Sequence, residues 1–343
     1  MRGTQNKSES PDLARLLDIL AAFPGKKIVV LGDLVVDEFV TGQISRVSRE
    51  APVLILQHRR TEMLPGGGAN AANNLADLGA KVVPVGVVGE DAPGKFLVDY
   101  FRRKKIDTSA ILSTRHATTT TKSRYMAGWA HKSGQQVLRV DRQPEGLLPA
   151  TVYAALERKL ALHTKKASAV LVSDYGCGAV NPSLVRKLRA PIVTLDSRYA
   201  LLEYRGAHIT AATPNEPELE ALYHTRIGND RAKLENLASR TRRHLGAQAL
   251  VVTRGKDGMT VFEHRRAPHA IPIFGTDEAA DVTGAGDTVI AVFTLALAAG
   301  ANFVEAAHLA NYAGGIVVMK HGTATITRAE LESAVRQDAT SHP

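Results

Sequence analysis

Short, mostly apolar runs alternate along the chain with longer segments in which apolar residues recur every three or four positions. The runs Lys27–Leu31, Lys81–Val88, Ala167–Ser173, Ile192–Asp196 and His208–Ala211 lack the in-and-out alternation of a half-exposed sheet. They predict parallel strands buried on both faces, and Val251–Thr253 adds another that runs into a glycine turn. Helical spacing covers Asp12–Phe23, Pro93–Lys104, Leu148–His163 and Pro182–Leu188, with Pro24 and Gly25 closing the first of these. A further helix opens at Pro65–Gly68 and runs to Leu78 before Gly79, and the apolar run Val289–Ala299 supplies another. Such alternation predicts an α/β fold in three layers, a mostly parallel, doubly wound sheet with helices on both faces. Threonine-, valine- and tyrosine-rich stretches interrupt the order, and they predict a small inserted β lid with strands at about residues 40–60 and 117–142. The organisation expected is a lead and helix over 1–24, one domain over 25–335 and a tail over 336–343.

Composition narrows the class. A chain of 343 residues with 44% hydrophobic content can bury a full core. The single cysteine, Cys177, excludes an intrachain disulfide framework and a Cys-rich metal site, which fits a reducing cytoplasm, the expected location. Met1–Ser10 lacks the apolar core of a signal peptide, and Val289–Ala301 is too short to span a bilayer, so no membrane role is expected. A net charge of +9 suits anionic ligands such as nucleotides and sugar phosphates. With aromatics at 5% and one Trp, a stacking surface for nucleic acid is not expected.

The candidate chemistry centres on Asp281-Val282-Thr283-Gly284-Ala285-Gly286-Asp287-Thr288. At a loop-to-helix junction the first N–H groups are unpaired and the positive helix end favours anions. Gly284 and Gly286 let the backbone approach a phosphoryl group, and Asp287 is placed to take the proton of an attacking hydroxyl. The plainer alternative is an ordinary helix-start aspartate. Asp33 and Asp37 fall at the C-terminal end of the first strand, where open α/β sheets bind ligands, and Asp33 is a candidate for sugar hydroxyls or else a turn aspartate. Gly66, Gly67 and Gly68 permit close backbone contact, and the Asn70 amide offers donors and an acceptor to hydroxyls. Gly66, Gly68 and Ala71 satisfy a loose dinucleotide fingerprint, but Thr61, Glu62 and Pro65 precede it where a buried strand is required. Gly89–Phe96 imitates a P-loop, yet Phe96 cannot ligate magnesium. Lys122, Arg124 and Arg139 in the lid either face an anionic substrate or are exposed charges, and the histidines show no metal-ligand spacing.

Taken in order, these strings resemble the PfkB/ribokinase superfamily of small-molecule kinases from about Lys27 to Leu331. The resemblance implies a ribokinase-like fold, with Gly284, Ala285 and Gly286 as the anion hole, Asp287 as the base, and the Gly66–Asn70 region binding sugar. It further implies Asn215 and Glu218 near magnesium, with Glu218 acting through water. Thr253, Gly255, Gly258, Asn311 and Thr323 are implied on the nucleotide side, and Asp174 and Arg198 at strand ends near the substrate and phosphates. Cys177 stands where the family pattern leads us to expect lysine, and Ser197-Arg198 where it has Pro-Lys. Arg46, Ser48, Glu50, Ala51 and Pro52 resemble an element of the bacterial heptose 7-phosphate kinases, with Arg49 departing from an expected proline. That subgroup implies phosphate contacts from Arg46 and Arg124, the substrate D-glycero-D-manno-heptose 7-phosphate, ATP and magnesium, a monovalent cation, and a homodimer formed through the lid. It also implies that no nucleotidyltransferase domain fits in this length. The alternatives are another sugar or nucleoside kinase of the superfamily, a non-catalytic sugar or nucleotide sensor of the same fold, and, remotely, a nicotinamide dehydrogenase.

Overall fold

A computed structural model describes residues 11–128, 135–275, 281–320 and 322–341. Its main sheet has nine strands: β1 (Lys27–Gly32), β4 (Lys81–Gly89), β5 (Ile111–Thr114), β8 (Ala169–Asp174), β9 (Val193–Ser197), β10 (Ala211–Ala212), β11 (Ala249–Thr253), β12 (Met259–Glu263) and β13 (His269–Ile271). They lie in the order β13-β12-β11-β10-β9-β8-β1-β4-β5, parallel except where β12 runs antiparallel to both neighbours. The second sheet orders its strands β3 (Leu54–Gly67), β2 (Leu34–Val47), β6 (Thr121–Gly128) and β7 (Gln135–Arg142).

The continuous apolar strands explain the three layers. Ile28 and Val30 of β1 pack into one core while Val29 and Leu31 pack into the other, so both faces of the strand need a helical cover. One cover includes helices Leu13–Ala21, Gly68–Asp77, Ala285–Ala298, Phe303–Val317 and Arg328–Ser341. The other includes Ala150–Thr164 and Arg231–Leu245. Each fully buried Val, Leu or Ile contributes about 1.5–3 kcal/mol relative to exposure.

The expected α/β sheet and lid are present, with local differences. The lid does not start near residue 40: β2 begins at Leu34, one residue after β1 ends, and pairs with β3 along its length. The expected strand His208–Ala211 shrinks to Ala211–Ala212, because His208 takes a left-handed φ of 52° that breaks extended structure. The helix expected over Pro182–Leu188 keeps one turn, Pro182–Val185, and then tightens into i to i−3 bonds at Lys187 and Leu188. The last helix runs to Ser341 and buries Leu331, Ala334 and Val335 beside Leu16, Ile19 and Leu20 of the first helix. Both helices therefore belong to the domain. The expected lead at 1–10, the lid turn at 129–134 and His321 lie outside the described residues. Among the described residues no helix is long and apolar enough to cross a membrane.

Candidate active site

Gly284 takes a left-handed φ of 79° and begins the helix Ala285–Ala298 without a side-chain cap; the Ala285 N–H turns back to the Val282 carbonyl at 3.2 Å, while those of Gly286 and Asp287 have no partner among the described residues. The turn before it is held by Asp281, whose carboxylate accepts the N–H of Thr283 at 2.9 Å and of Gly322 at 3.0 Å. In the first turn of the helix, Asp287 is 2% exposed. Its Oδ2 accepts from Asn70 Nδ2 at 3.1 Å and its Oδ1 from the Tyr175 hydroxyl at 2.8 Å. Burial pushes the Asp287 carboxyl up to about 7, against the opposing pull of those two hydrogen bonds. A carboxylate so tuned accepts a proton readily at neutral pH.

Two cavities meet at this helix start. A polar one of about 420 Å³ carries Asp37, Lys122, Arg124 and Arg139 on its lid wall, Tyr175, Asp174, Asp196 and Arg198 at the strand ends, and Gly284, Gly286 and Asp287 on its floor. A more apolar one of about 640 Å³ is lined by Met259, Ile273, Val289 and Val318, with Asn311 and the backbones of Gly255, Gly314 and Gly315. Asn215, Thr253, Val282, Gly286 and Val289 line both. This arrangement seats a flat apolar group on one side, a polar acceptor on the other, and an anion at the uncapped helix end between them.

The lid cations are not equivalent. Arg124 donates to Asp37 in a buried ion pair, and Arg139 pairs with Asp141, whose hydrogen bond raises the guanidinium further. Lys122 is 8% exposed, stands 4.5 Å from the Tyr175 ring centroid, and has no ion-pair partner among the described residues. Burial pulls its ammonium below the usual lysine range. On the far wall, burial and then the neighbouring Glu218 push Asp196 up, and burial raises Glu218 as well.

Residues 26–132 and 177–330 match the sequence model of the pfkB family carbohydrate kinases. The chain belongs to that family. It is thus a phosphotransferase type whose acceptor is a sugar hydroxyl. The Bifunctional protein HldE of Geobacter metallireducens is 38% identical over 310 residues, 88% of this chain and 61% of that protein. Its namesake in Mesorhizobium japonicum is 38% identical over 339 residues, 96% of this chain and 66% of that protein. The chain therefore spans less than two thirds of the length of these relatives. The structure of Arabidopsis thaliana ribokinase complexed with ribose and ATP shares the fold at a TM-score of 0.68 and 20% identity, covering 91% of this chain and 99% of the ribokinase. Escherichia coli phosphofructokinase-2 in complex with potassium does so at 0.74 and 17%, covering 92% and 99%.

Set in this kinase fold, the residues singled out in the sequence divide into three groups. Gly284, Ala285, Gly286, Asp287, Asp37, Gly67, Arg124, Asp174, Arg198, Asn215, Glu218, Thr253, Gly255 and Asn311 line one cavity or both. Several of them are also engaged structurally. Asp174 accepts from Gly176 N, Ser197 Oγ and Tyr204 Oη. Asn311 donates to the Pro272 carbonyl, and Asn215 and Glu218 form a reciprocal helix cap at 2.7 and 3.0 Å that leaves one Glu218 oxygen available.

A second group supports the site from behind. The Asn70 amide, expected on a sugar, is instead bonded to Asp287, the Gly284 carbonyl and Asn74. Asp33, also expected on a sugar, turns both oxygens to the backbone of residues 175–179 and is absent from the polar cavity wall. Gly66 and Gly68 are packing glycines, since a Cβ on Gly66 would lie 2.3 Å from Asp37 and one on Gly68 2.9 Å from Gly32 Cα. Gly258 makes the turn into β12, where a Cβ would meet the Ile271 carbonyl at 2.1 Å. Thr323 is buried against Gly284, outside both linings, with its hydroxyl unpartnered among the described residues.

Arg46 forms the third group alone: it is exposed at the outer end of β2 opposite Ile55, outside the cavity wall. Sequence reasoning did not assign Tyr175 or Asp196, and it left Lys122 open between an anionic substrate and an exposed charge. The first two stand inside the strand-end clusters that drew attention to Asp174 and Arg198, so strand-end position was the signal available for them.

Proposed function

We propose that the chain transfers the γ-phosphoryl group of ATP to a hydroxyl of a sugar that already carries a phosphate, D-glycero-D-manno-heptose 7-phosphate, giving the 1,7-bisphosphate. The observation that carries this reading is Asp287, buried and held by two donors where the polar and apolar cavities meet. In the proposed reaction Asp287 removes the proton from the attacking sugar hydroxyl. The N–H groups of Gly284 and Gly286, unpartnered among the described residues, neutralise charge that develops on the phosphoryl oxygens.

The half-buried carboxylates of Asp196 and Glu218, both pushed up and on one cavity wall, fit a divalent cation between protein and phosphates. Magnesium keeps much of its water shell and is commonly held by one or two carboxylates. Asp196 and Glu218 would hold the ion, which would supply charge neutralisation at the phosphates. A monovalent-cation dependence and action in the cytoplasm are part of the same proposal.

The substrate's own phosphate is supported by Lys122 and Arg198, which line the polar cavity without an ion-pair partner among the described residues. Arg124 is already neutralised by Asp37. The exposed apolar residues Val47, Val53, Leu54, Val137, Leu138 and Val140 all lie on the lid or its connecting loop, and they support a homodimer formed through that sheet. A screen of phosphate acceptors with ATP, pairing each sugar with its phosphate ester, tests the assignment. Heptose 7-phosphate is expected to show the highest specificity constant, and a free sugar or nucleoside at the top of the panel would replace it with another kinase activity of the same family.

A further inference from the structure

Asp33 occupies the single position between β1, which ends at Gly32, and lid strand β2, which begins at Leu34. Its main chain ties two more elements to this junction, since its N–H donates to the Ser173 carbonyl at 3.0 Å and its carbonyl accepts from Gly68 N at 3.0 Å. The side chain is 1% exposed. Oδ2 accepts the N–H groups of Tyr175 and Cys177 at 2.8 and 3.0 Å, and Oδ1 accepts that of Ala179 at 3.0 Å. No ion pair offsets its charge among the described residues, and it is not on the wall of the polar cavity. A buried carboxylate without a cation is costly, and here its compensation comes from one short loop.

That loop begins with Tyr175, whose hydroxyl donates to Asp287 Oδ1 at 2.8 Å. The ring sits against Gly67, where a Cβ would lie 3.2 Å from Tyr175 Cδ2, and has Lys122 Nζ 4.5 Å from its centroid. Continuous contacts therefore lead from the junction of β1 and β2, through the Asp33 carboxylate and the 175–179 backbone, to the oxygen of the proposed base.

We infer that Asp33 is a positioning residue of the transfer reaction, anchoring the 175–179 loop to the lid junction so that the Tyr175 hydroxyl holds the Asp287 carboxylate. The inference rests on Asp287 as the base. Asparagine at position 33 offers one acceptor oxygen and turns an amide N–H₂ toward backbone donors, so Asp33→Asn releases part of the loop.

The test is a double-mutant cycle on the full chain with ATP and its best acceptor: Asp33→Asn, Tyr175→Phe and the pair, each read for kcat, sugar KM and the pH profile of kcat. Tyr175→Phe removes a hydrogen bond to a charged group, and about a tenfold loss in kcat is expected. Since that bond favours the ionised form of Asp287, its loss moves the acid limb to higher pH. Asp33→Asn is expected to lower kcat and move the limb in the same direction with sugar KM little changed, and the double variant to be no slower than the slower single one. Losses that multiply in the double variant, or a raised sugar KM with kcat intact, overturn the inference. Should Asp33→Asn not fold, Asp33→Glu, which keeps the charge but displaces the carboxylate, enters the same cycle. Asp287→Asn is run alongside: retained turnover there removes the base, while an inactive Asp287→Asn with independent Asp33 and Tyr175 effects removes only the coupling.

Discussion

The floor of the polar cavity belongs to a helix buried at every position from Asp287 to Leu297, whereas the opposite wall belongs to a lid sheet whose outer strand, β7, is exposed along its whole length. On the floor, each group that positions the reaction is fixed by at least one partner from a distant part of the chain: Asn70 and Tyr175 for Asp287, Thr323 packed behind Gly284. On the lid, Arg124 and Arg139 are bound to acids within their own sheet, and Lys122 has no such acid among the described residues. The difference separates two tasks. A rigid floor suits transition-state chemistry, which tolerates little misplacement, while a thin, partly exposed wall lets charge selection change without disturbing that chemistry.

Breaking the floor is expected to have the larger effects. Asp287→Asn keeps size and one acceptor oxygen, with an amide that the Tyr175 hydroxyl can accept from, but removes the base, so kcat should fall by about 10² to 10⁴ with the fold intact. The same variant should gain stability at alkaline pH. Burial raises the native carboxyl to about 7 from an ordinary value near 3.8, so the wild type loses stability as pH rises through that window. Thermal melts at pH 8 should place the variant above wild type, with the gap narrowing as pH falls and closing only near the ordinary carboxyl value. Gly284→Ala comes next: it combines a left-handed φ of 79° with a Cβ 2.6 Å from Asn70 Nδ2. A shift of the helix start on that scale is expected to cost about 10²-fold in kcat, and a loss under threefold would show that the turn is not part of the transfer site.

Changes in the lid should be smaller and selective. Lys122→Met is expected to cost roughly tenfold in the specificity constant for a phosphorylated sugar, the worth of one charge-assisted contact, and much less for the free sugar. Equal losses on both would assign Lys122 to the transferred phosphoryl group instead. Arg46→Ala should leave both constants within about twofold, measured on the same panel.

The floor was more legible in the sequence than the lid. Gly284–Asp287 is a local string whose chemistry follows from one helix start, and β1, β4 and β8 follow from uninterrupted apolar runs that only a doubly covered strand can use. What the sequence hid is non-local. Nothing in Asn70 tells that its amide turns to Asp287, 217 positions away, and nothing in Tyr175 tells that its hydroxyl does the same across 112. Asp33 looked like a sugar ligand because strand ends usually face one; only the loop folded over it shows where its oxygens go. In the lid, Arg46 and Arg124 read alike as cations, yet one is exposed at a strand end and the other is neutralised by Asp37.

The central claim, that Asp287 is the base of a phosphoryl transfer, is tested most directly by the pH dependence of kcat/KM for wild type beside Asp287→Asn at saturating magnesium. A carboxyl raised to about 7 must lose its proton to act, so the wild-type profile should climb through neutral pH to a plateau. The residual activity of the variant should lack that limb. A variant that keeps the same limb, or a wild type already on its plateau at pH 5, would contradict the account.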